Sequence, residues 1–312
     1  MTRAFVFPGQ GAQTIGMGRD LAEAYPVARA VFDEVDAALG ESLSATIWDG
    51  DIETLTLTRN AQPALMATSI AALRALEAEG VRVADHAAFV AGHSLGEYSA
   101  LVAAGSLDLS DAARLLRIRG EAMQNAVPVG DGAMAALLGL DLETARAVAE
   151  EAAEGDVCQA ANDNDPAQVV VSGHRAAVER AVEIAKGRGA KRALLLPVSA
   201  PFHCALMAPA AAAMAEALDT VKIADPVVPL IANVTAAPVQ DASQIRPLLV
   251  DQVTGAVRWR ESVMRMGAEG VTEIWEIGAG KALSGMVRRI DKTIATRQVG
   301  TPTDVDESAK SL

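Results

Sequence analysis

The pentapeptide Gly92-His93-Ser94-Leu95-Gly96 is where residue types and spacing first suggest chemistry. It fits G-x-S-x-G, in which the glycines allow a strained strand-to-helix turn that lifts a serine hydroxyl clear of a sheet. The apolar run 87–91 before it reads as a buried strand, and 97–104 after it as a helix stopped by Gly105. A helix beginning there would aim free N–H groups and positive dipole at a developing oxyanion. The serine needs a base, and imidazole is the usual one near neutral pH. The chain has four histidines. His93 adjoins the serine, so its side chain should diverge; His174 opens a helix as a cap or surface residue; His86 precedes the elbow strand, at the far end of the sheet. His203, in the loop 199–207, is the best placed, and it follows the nucleophile in chain order as in elbow-type hydrolases. A structural loop histidine is the competing reading.

The elements that must carry these residues alternate. Residues 4–7 read as a strand running into Pro8-Gly9-Gln10-Gly11, with helical periodicity over 21–39 and 61–78. After the elbow, a helix spans 110–125. Strands alternating with helices imply an α/β protein with a parallel sheet covered on both faces. Between 127 and 198 the rhythm changes to β-α-β-β-α-β: strand 133–140, helix 142–153, strand 157–161, a turn at 162–166, strand 168–172, helix 176–186 and strand 193–198. That order is a ferredoxin-like unit. The expectation is a large α/β-hydrolase-like domain formed by 1–126 and 199–300, an inserted small domain at 127–198, and a frayed polar tail at 301–312. Further strands are expected at 228–232 and 273–277, with helices at 210–218, 247–254, 259–269 and from Gly280 to Ile290.

Composition narrows the class. Half of the 312 residues are apolar and only 3% are aromatic, so the core must be aliphatic. A net charge of −13 argues against nucleic acid. Cys158 and Cys204 stand alone, without the spacing of a disulfide framework or a metal site. The short apolar N-terminal run makes no signal peptide, and no stretch approaches the ~18 apolar residues of a membrane span. The expectation is a soluble cytoplasmic protein without membrane contact.

Several segments fall into a familiar order: Phe7-Pro-Gly-Gln-Gly-Ala-Gln13, Gly92-His-Ser-Leu-Gly-Glu-Tyr98, Arg117-Ile-Arg-Gly-Glu-Ala-Met-Gln124, Pro201-Phe-His-Cys-Ala-Leu-Met207, Val257-Arg-Trp259 and Glu276-Ile-Gly-Ala-Gly-Lys281. Together they resemble the malonyl-CoA:acyl-carrier-protein transacylases of fatty-acid and polyketide synthesis, from Met1 to about Arg297. The resemblance implies Ser94 as the acylated nucleophile, His203 as its base, the N–H groups of Gln10 and Leu95 as the oxyanion hole, and the main-chain carbonyl of Gln252 in place of a triad carboxylate. By themselves Gln10 reads as a turn residue, Gln252 as a helix-surface glutamine and Arg119 as a solvated helix arginine. The family makes Arg119 the clamp for the malonyl carboxylate, since a guanidinium grips a carboxylate with two parallel hydrogen bonds.

Phe202 matches the aromatic by which malonyl-selecting polyketide acyltransferases crowd out a branching methyl, where stand-alone bacterial members often carry serine. Met123 and Asn162 join as pocket candidates, against plain core and turn readings. The implied reaction is a ping-pong transfer from malonyl-CoA to the phosphopantetheine thiol of acyl carrier protein. It needs no metal or resident cofactor, and a monomer is expected. An acidic carrier would need a local basic patch, for which Lys186, Arg188, Lys191 and Arg192 are the candidates. The alternative function is a serine thioesterase or other hydrolase using the same elbow; a non-catalytic scaffold would have lost the nucleophile or base, and both are present.

Overall fold

A computed structural model describes residues 2–312. Among the described residues ten strands form two sheets. The larger contains β1 (Arg3–Phe7), β2 (Phe89–Gly92), β7 (Leu230–Ile231), β8 (Pro238–Val239), β9 (Glu273–Ile277) and β10 (Ala295–Val299), in the order β10-β9-β1-β2-β7-β8. All its pairings are parallel except β7 with β8 at one edge. The smaller contains β3 (Gly132–Leu138), β4 (Cys158–Asp165), β5 (Gln168–His174) and β6 (Arg192–Leu195), antiparallel throughout, in the order β4-β5-β3-β6. The protein is therefore α/β, with the expected β-α-β-β-α-β unit between the elbow half and the histidine half of the larger part.

Apolar clusters cover both faces of the larger sheet, one of them reaching Met134, Ala136 and Val170 of the small sheet, which has a further cluster on its other face. Val148, Ala149, Val169, Val171 and Val178 bind the small sheet to its two helices. The helix Thr58–Ala78 lies almost wholly inside the larger core, where close packing suits its many alanines. Pro26 splits the expected single helix over 21–39 into Arg19–Ala24 and Pro26–Leu39, because proline has no N–H to continue a helix but suits a first turn. The short helices Leu43–Asp49 and Ile52–Thr56, and the strands β8 and β10, had no sequence counterpart above.

Two expectations are corrected. The turn expected at 162–166 is strand: β4 continues through Asn162-Asp163-Asn164-Asp165, all four buried, with bulges in its pairing to β5. Their polar groups are met from the larger part. Asp163 pairs with Arg260 at 2.9 Å and Asp165 with Arg289 at 2.7 Å, while Asn164 meets His93 at 2.9 Å. Asn162 bridges Val257 in parallel register, with the Asp163 N–H donating to the Val257 carbonyl and the Val257 N–H to that of Ala161. Nor is the tail frayed. Pro302–Ala309 is a helix whose Thr301 and Asp304 form a reciprocal capping box, and its buried Val305 packs into the larger core.

Candidate active site

The elbow forms where β2 ends. A Cβ on Gly92 would lie 1.9 Å from the Gly96 carbonyl carbon, and one on Gly96 would lie 2.3 Å from the Phe7 carbonyl oxygen, so both positions demand glycine. Ser94 is held at φ 53°, in the left-handed region that non-glycine residues avoid. Asn233, just after β7, holds the bend in place: its Oδ1 accepts from the Ser94 N–H at 2.8 Å and its Nδ2 donates to the Gly92 carbonyl at 2.7 Å. The amides of Gln10 and Leu95 find no acceptor among the described residues, and both residues line the cavity beside Ser94.

His203 is the histidine that meets the serine, with Nε2 2.7 Å from Ser94 Oγ. It too has positive φ, 58°. Its Nδ1 lies 2.9 Å from the carbonyl of Gln252 and 3.2 Å from that of Gly255. Carbonyls only accept, so Nδ1 carries the hydrogen and Nε2 presents its lone pair to the hydroxyl. The Gln252 carbonyl is free for this because it lies in the last turn of the helix Ala242–Thr254, where carbonyls lack intrahelical partners. The negative end of that helix dipole favours a transient imidazolium. Burial and then the charge of Arg119 pull the His203 pKa down to about 3, so the resting ring is neutral.

The other histidines do not reach the serine hydroxyl, although His93 lines the same cavity. His93 Nε2 turns to Asn164; His174 Nδ1 accepts from the Val157 N–H at 2.9 Å; His86 is half-buried, with its Nδ1 accepting from the Arg82 N–H at 3.1 Å.

Arg119, on the helix Leu109–Asn125, is 1% exposed rather than solvated. Its Nη2 donates to Ser94 Oγ at 3.1 Å and to Gln252 Oε1 at 2.6 Å, and its Nη1 to Gln62 Oε1 at 2.8 Å. The guanidinium lies over the Tyr98 ring, 5.7 Å from its centre. Three of its five donors are thus engaged, each by a neutral group, so its positive charge is left without a contacting carboxylate. Arg114 and Arg117 on the same helix are paired with Asp111 and Glu41.

A cavity of about 470 Å³ brings together Gln10, Ser94, Leu95, Arg119, Met123, Asn162, Phe202 and His203. Met134 of β3 and Leu196, just past β6, add apolar lining. Gln252 takes part from behind, through its carbonyl and side chain. Sequence reading missed Gln62, Asn233 and Glu97. For Glu97 a signal existed: a helix apolar on every side must be buried, so its single carboxylate must be buried with it.

The chain belongs with known proteins along its whole length. The family model described as acyl transferase domain matches residues 4–296. A malonyl CoA-acyl carrier protein transacylase of Bacillus subtilis is 49% identical, over 99% of this chain and 96% of its own. An acyl-carrier-protein-S-malonyltransferase from Bartonella henselae superposes with a TM-score of 0.98 at 56% identity, covering 100% of this chain and 99% of that one. A malonyl-transacylase solved in complex with a type II polyketide-synthase acyl-carrier protein is 42% identical, with a TM-score of 0.97 and full coverage of both chains. With a strained serine at hydrogen-bonding distance from a neutral histidine, and a buried arginine over the same cavity, this chain is a member of the acyl transferase family, among its malonyl-CoA:acyl-carrier-protein transacylases.

Proposed function

We propose that the protein transfers malonyl from malonyl-CoA to the phosphopantetheine thiol of acyl carrier protein through a malonyl ester on Ser94. The observation that carries this reading is the contact set of Ser94 Oγ: His203 Nε2 on one side and Arg119 Nη2 on the other. The first contact supplies a base. The second supplies a positive charge suited to a short acyl group ending in a carboxylate.

In the first half-reaction, Ser94 Oγ attacks the thioester carbonyl carbon while its proton passes to His203 Nε2. The tetrahedral oxyanion is met by the N–H groups of Gln10 and Leu95. The C–S bond breaks and coenzyme A leaves as a thiol, taking the proton back from the imidazolium. In the second half the carrier thiol gives its proton to His203 and attacks the Ser94 ester, and the serine leaves with that proton. His203 keeps its orientation through Nδ1–H to the Gln252 and Gly255 carbonyls. Burial is what makes Arg119 selective: an acetyl group would leave its charge unpaired. Met123, Phe202 and Asn162 close the wall around the acyl group. Nothing in this sequence of steps calls for a metal or resident cofactor.

We keep 127–198 as a small domain inserted into the catalytic part. The cytoplasm is the compartment that fits, since two free buried thiols, Cys158 and Cys204, suit reducing surroundings. Among the described residues no helix is long and apolar enough to cross a membrane.

Incubation with malonyl-CoA should add one malonyl mass to the intact protein, and Ser94→Ala should remove that addition. A malonyl adduct persisting in Ser94→Ala would contradict the reading. Malonate release measured against carrier loading separates it from a thioesterase, which would release the free acid faster than it loads the thiol.

A further inference from the structure

Glu97 lies three residues beyond Ser94, on the fully buried helix Gly96–Ala103, and is 1% exposed. The reaction as written makes no use of it, and no ion pair reaches it among the described residues. Its partner is the side chain of Gln252, whose Nε2 donates to Glu97 Oε2 at 2.6 Å; the Asn233 N–H lies 3.4 Å from each carboxylate oxygen. The same Nε2 donates to the Ser94 carbonyl at 2.9 Å, while Gln252 Oε1 accepts from Arg119 Nη2.

A primary amide has one donating and one accepting end. Both groups facing the donating end, the Glu97 carboxylate and the Ser94 carbonyl, are acceptors. A flipped amide would set its oxygen against both of them and its N–H groups against a guanidinium. As long as residue 97 is a carboxylate, the Gln252 oxygen must face Arg119.

We propose that Glu97 is a positioning residue: as a carboxylate it fixes the Gln252 amide, and through it holds the Arg119 guanidinium in the orientation that receives the acid end of the acyl group. The proposal rests on the assignment of Ser94 and Arg119 above. It gives the buried carboxylate a role distinct from that of the Gln252 carbonyl, which serves His203.

The charged and titratable groups facing Glu97 are Arg119, from the helix Leu109–Asn125, and Tyr98, from its own helix. Gln252 and Asn233 come from the other elements packed against it and carry no charge. Burial pushes the Glu97 carboxyl up to about 7, against the opposing pull of Gln252, Asn233 and Arg119. The ionised, orienting form therefore prevails above about pH 7 and is lost below it. His203 is held near 3, so a fall in malonyl loading as pH drops through neutrality does not come from the base. Acetyl has no acid end for Arg119, so its loading should lack that fall.

The test is the rate of Ser94 acylation by malonyl-CoA and by acetyl-CoA across the neutral range, in the full chain and in Glu97→Gln, Gln252→Ala and the double variant. Gln252→Ala keeps the main-chain carbonyl that His203 needs. We expect Glu97→Gln to lower the malonyl-to-acetyl ratio about tenfold and to remove the malonyl acid limb, as expected when a hydrogen bond to a charged group becomes one to a neutral amide. The double variant should be no worse than Gln252→Ala alone, because both changes cut one chain of contacts.

An unchanged ratio in Glu97→Gln, or independent additive losses in the double variant, overturns the proposal. Should Glu97→Gln not fold, the unaltered protein still decides: equal acid limbs for malonyl and acetyl also overturn it. If Ser94 takes no malonyl at all, or Arg119→Ala leaves the ratio unchanged, the assignments beneath fall and this proposal falls with them. If those assignments hold and Glu97→Gln is silent, this proposal alone is wrong.

Discussion

The two walls of the cavity are fastened in opposite ways. On the parallel-sheet side, Ser94, His203 and Arg119 are joined through short contacts that converge on Gln252, between groups within reach of the reacting atoms. On the antiparallel-sheet side, β4 brings Asn162 to the cavity, but what holds β4 lies behind it. Asp163 and Asp165 are nearly fully buried, and their partners Arg260 and Arg289 come from helices outside the pocket, with side chains 25% and 52% exposed. The first wall sets where protons and charge move. The second sets where a surface stands. Substitutions in the first should therefore change rates with little loss of stability, and substitutions in the second should do the reverse.

The largest expected effect breaks the first wall. His203→Ala removes the base and should slow Ser94 acylation by about 10³-fold, within the range for general-base catalysis, with an unchanged melting temperature. Single-turnover acylation followed by mass checks the first part and calorimetry the second. Next comes Arg119→Ala, for which we expect malonyl transfer to fall by roughly 10² to 10³ while acetyl loading is retained or improved, the size expected from losing one partner of a buried charge pair. Side-by-side loading with the two thioesters checks it, and an equal malonyl-to-acetyl ratio in variant and parent would refute the clamp.

The second wall is tested by stability. Arg260→Ala leaves the Asp163 carboxylate buried without its partner and should cost about 3 kcal/mol. Arg289→Ala should cost less, since the half-exposed Arg289 has less of its charge to lose from water. Denaturant titration should order them so, with the malonyl adduct on Ser94 still forming in both. A reversed order would mean the two pairs do not act as described.

The smallest effect concerns neither wall. In the basic run leading into the small sheet, Lys186 and Arg188 at the end of the helix Arg175–Gly187 are paired with Glu183 and Glu151, whereas Lys191 and Arg192 precede the exposed Leu194 and Leu195 of the edge strand β6. Reversing charge at Lys191 and Arg192 should raise the KM for the carrier several-fold at low salt, with malonyl-CoA loading unchanged, as for charges at an interface rim. An insensitive KM would move carrier docking elsewhere.

The same contrast explains what could be read from the chain before its structure. The elbow is local: five residues between an apolar strand and an apolar helix encode it, and four histidines leave few bases to choose among. The capped helix at Pro302 was equally local, with threonine before proline and aspartate at the third helical position, yet the polar composition of 301–312 masked it. Asn162-Asp163-Asn164-Asp165 misled for a different reason. Asparagine and aspartate ahead of proline favour turns through their own backbone contacts, and only groups about a hundred residues away in sequence, Arg260 and Arg289, make them tolerable as buried strand. Arg119 was hidden likewise, since nothing in its helix says that Gln62 and Gln252 will receive it.

The central claim is that one buried guanidinium holds the acid end of an acyl group esterified to Ser94. A crystal structure of the malonyl-loaded protein tests it most directly. The account predicts continuous density from Ser94 Oγ, with the carboxylate oxygens about 2.8 Å from the Arg119 nitrogens. An ester on another residue, or a malonyl carboxylate turned away from Arg119 toward solvent, would contradict it.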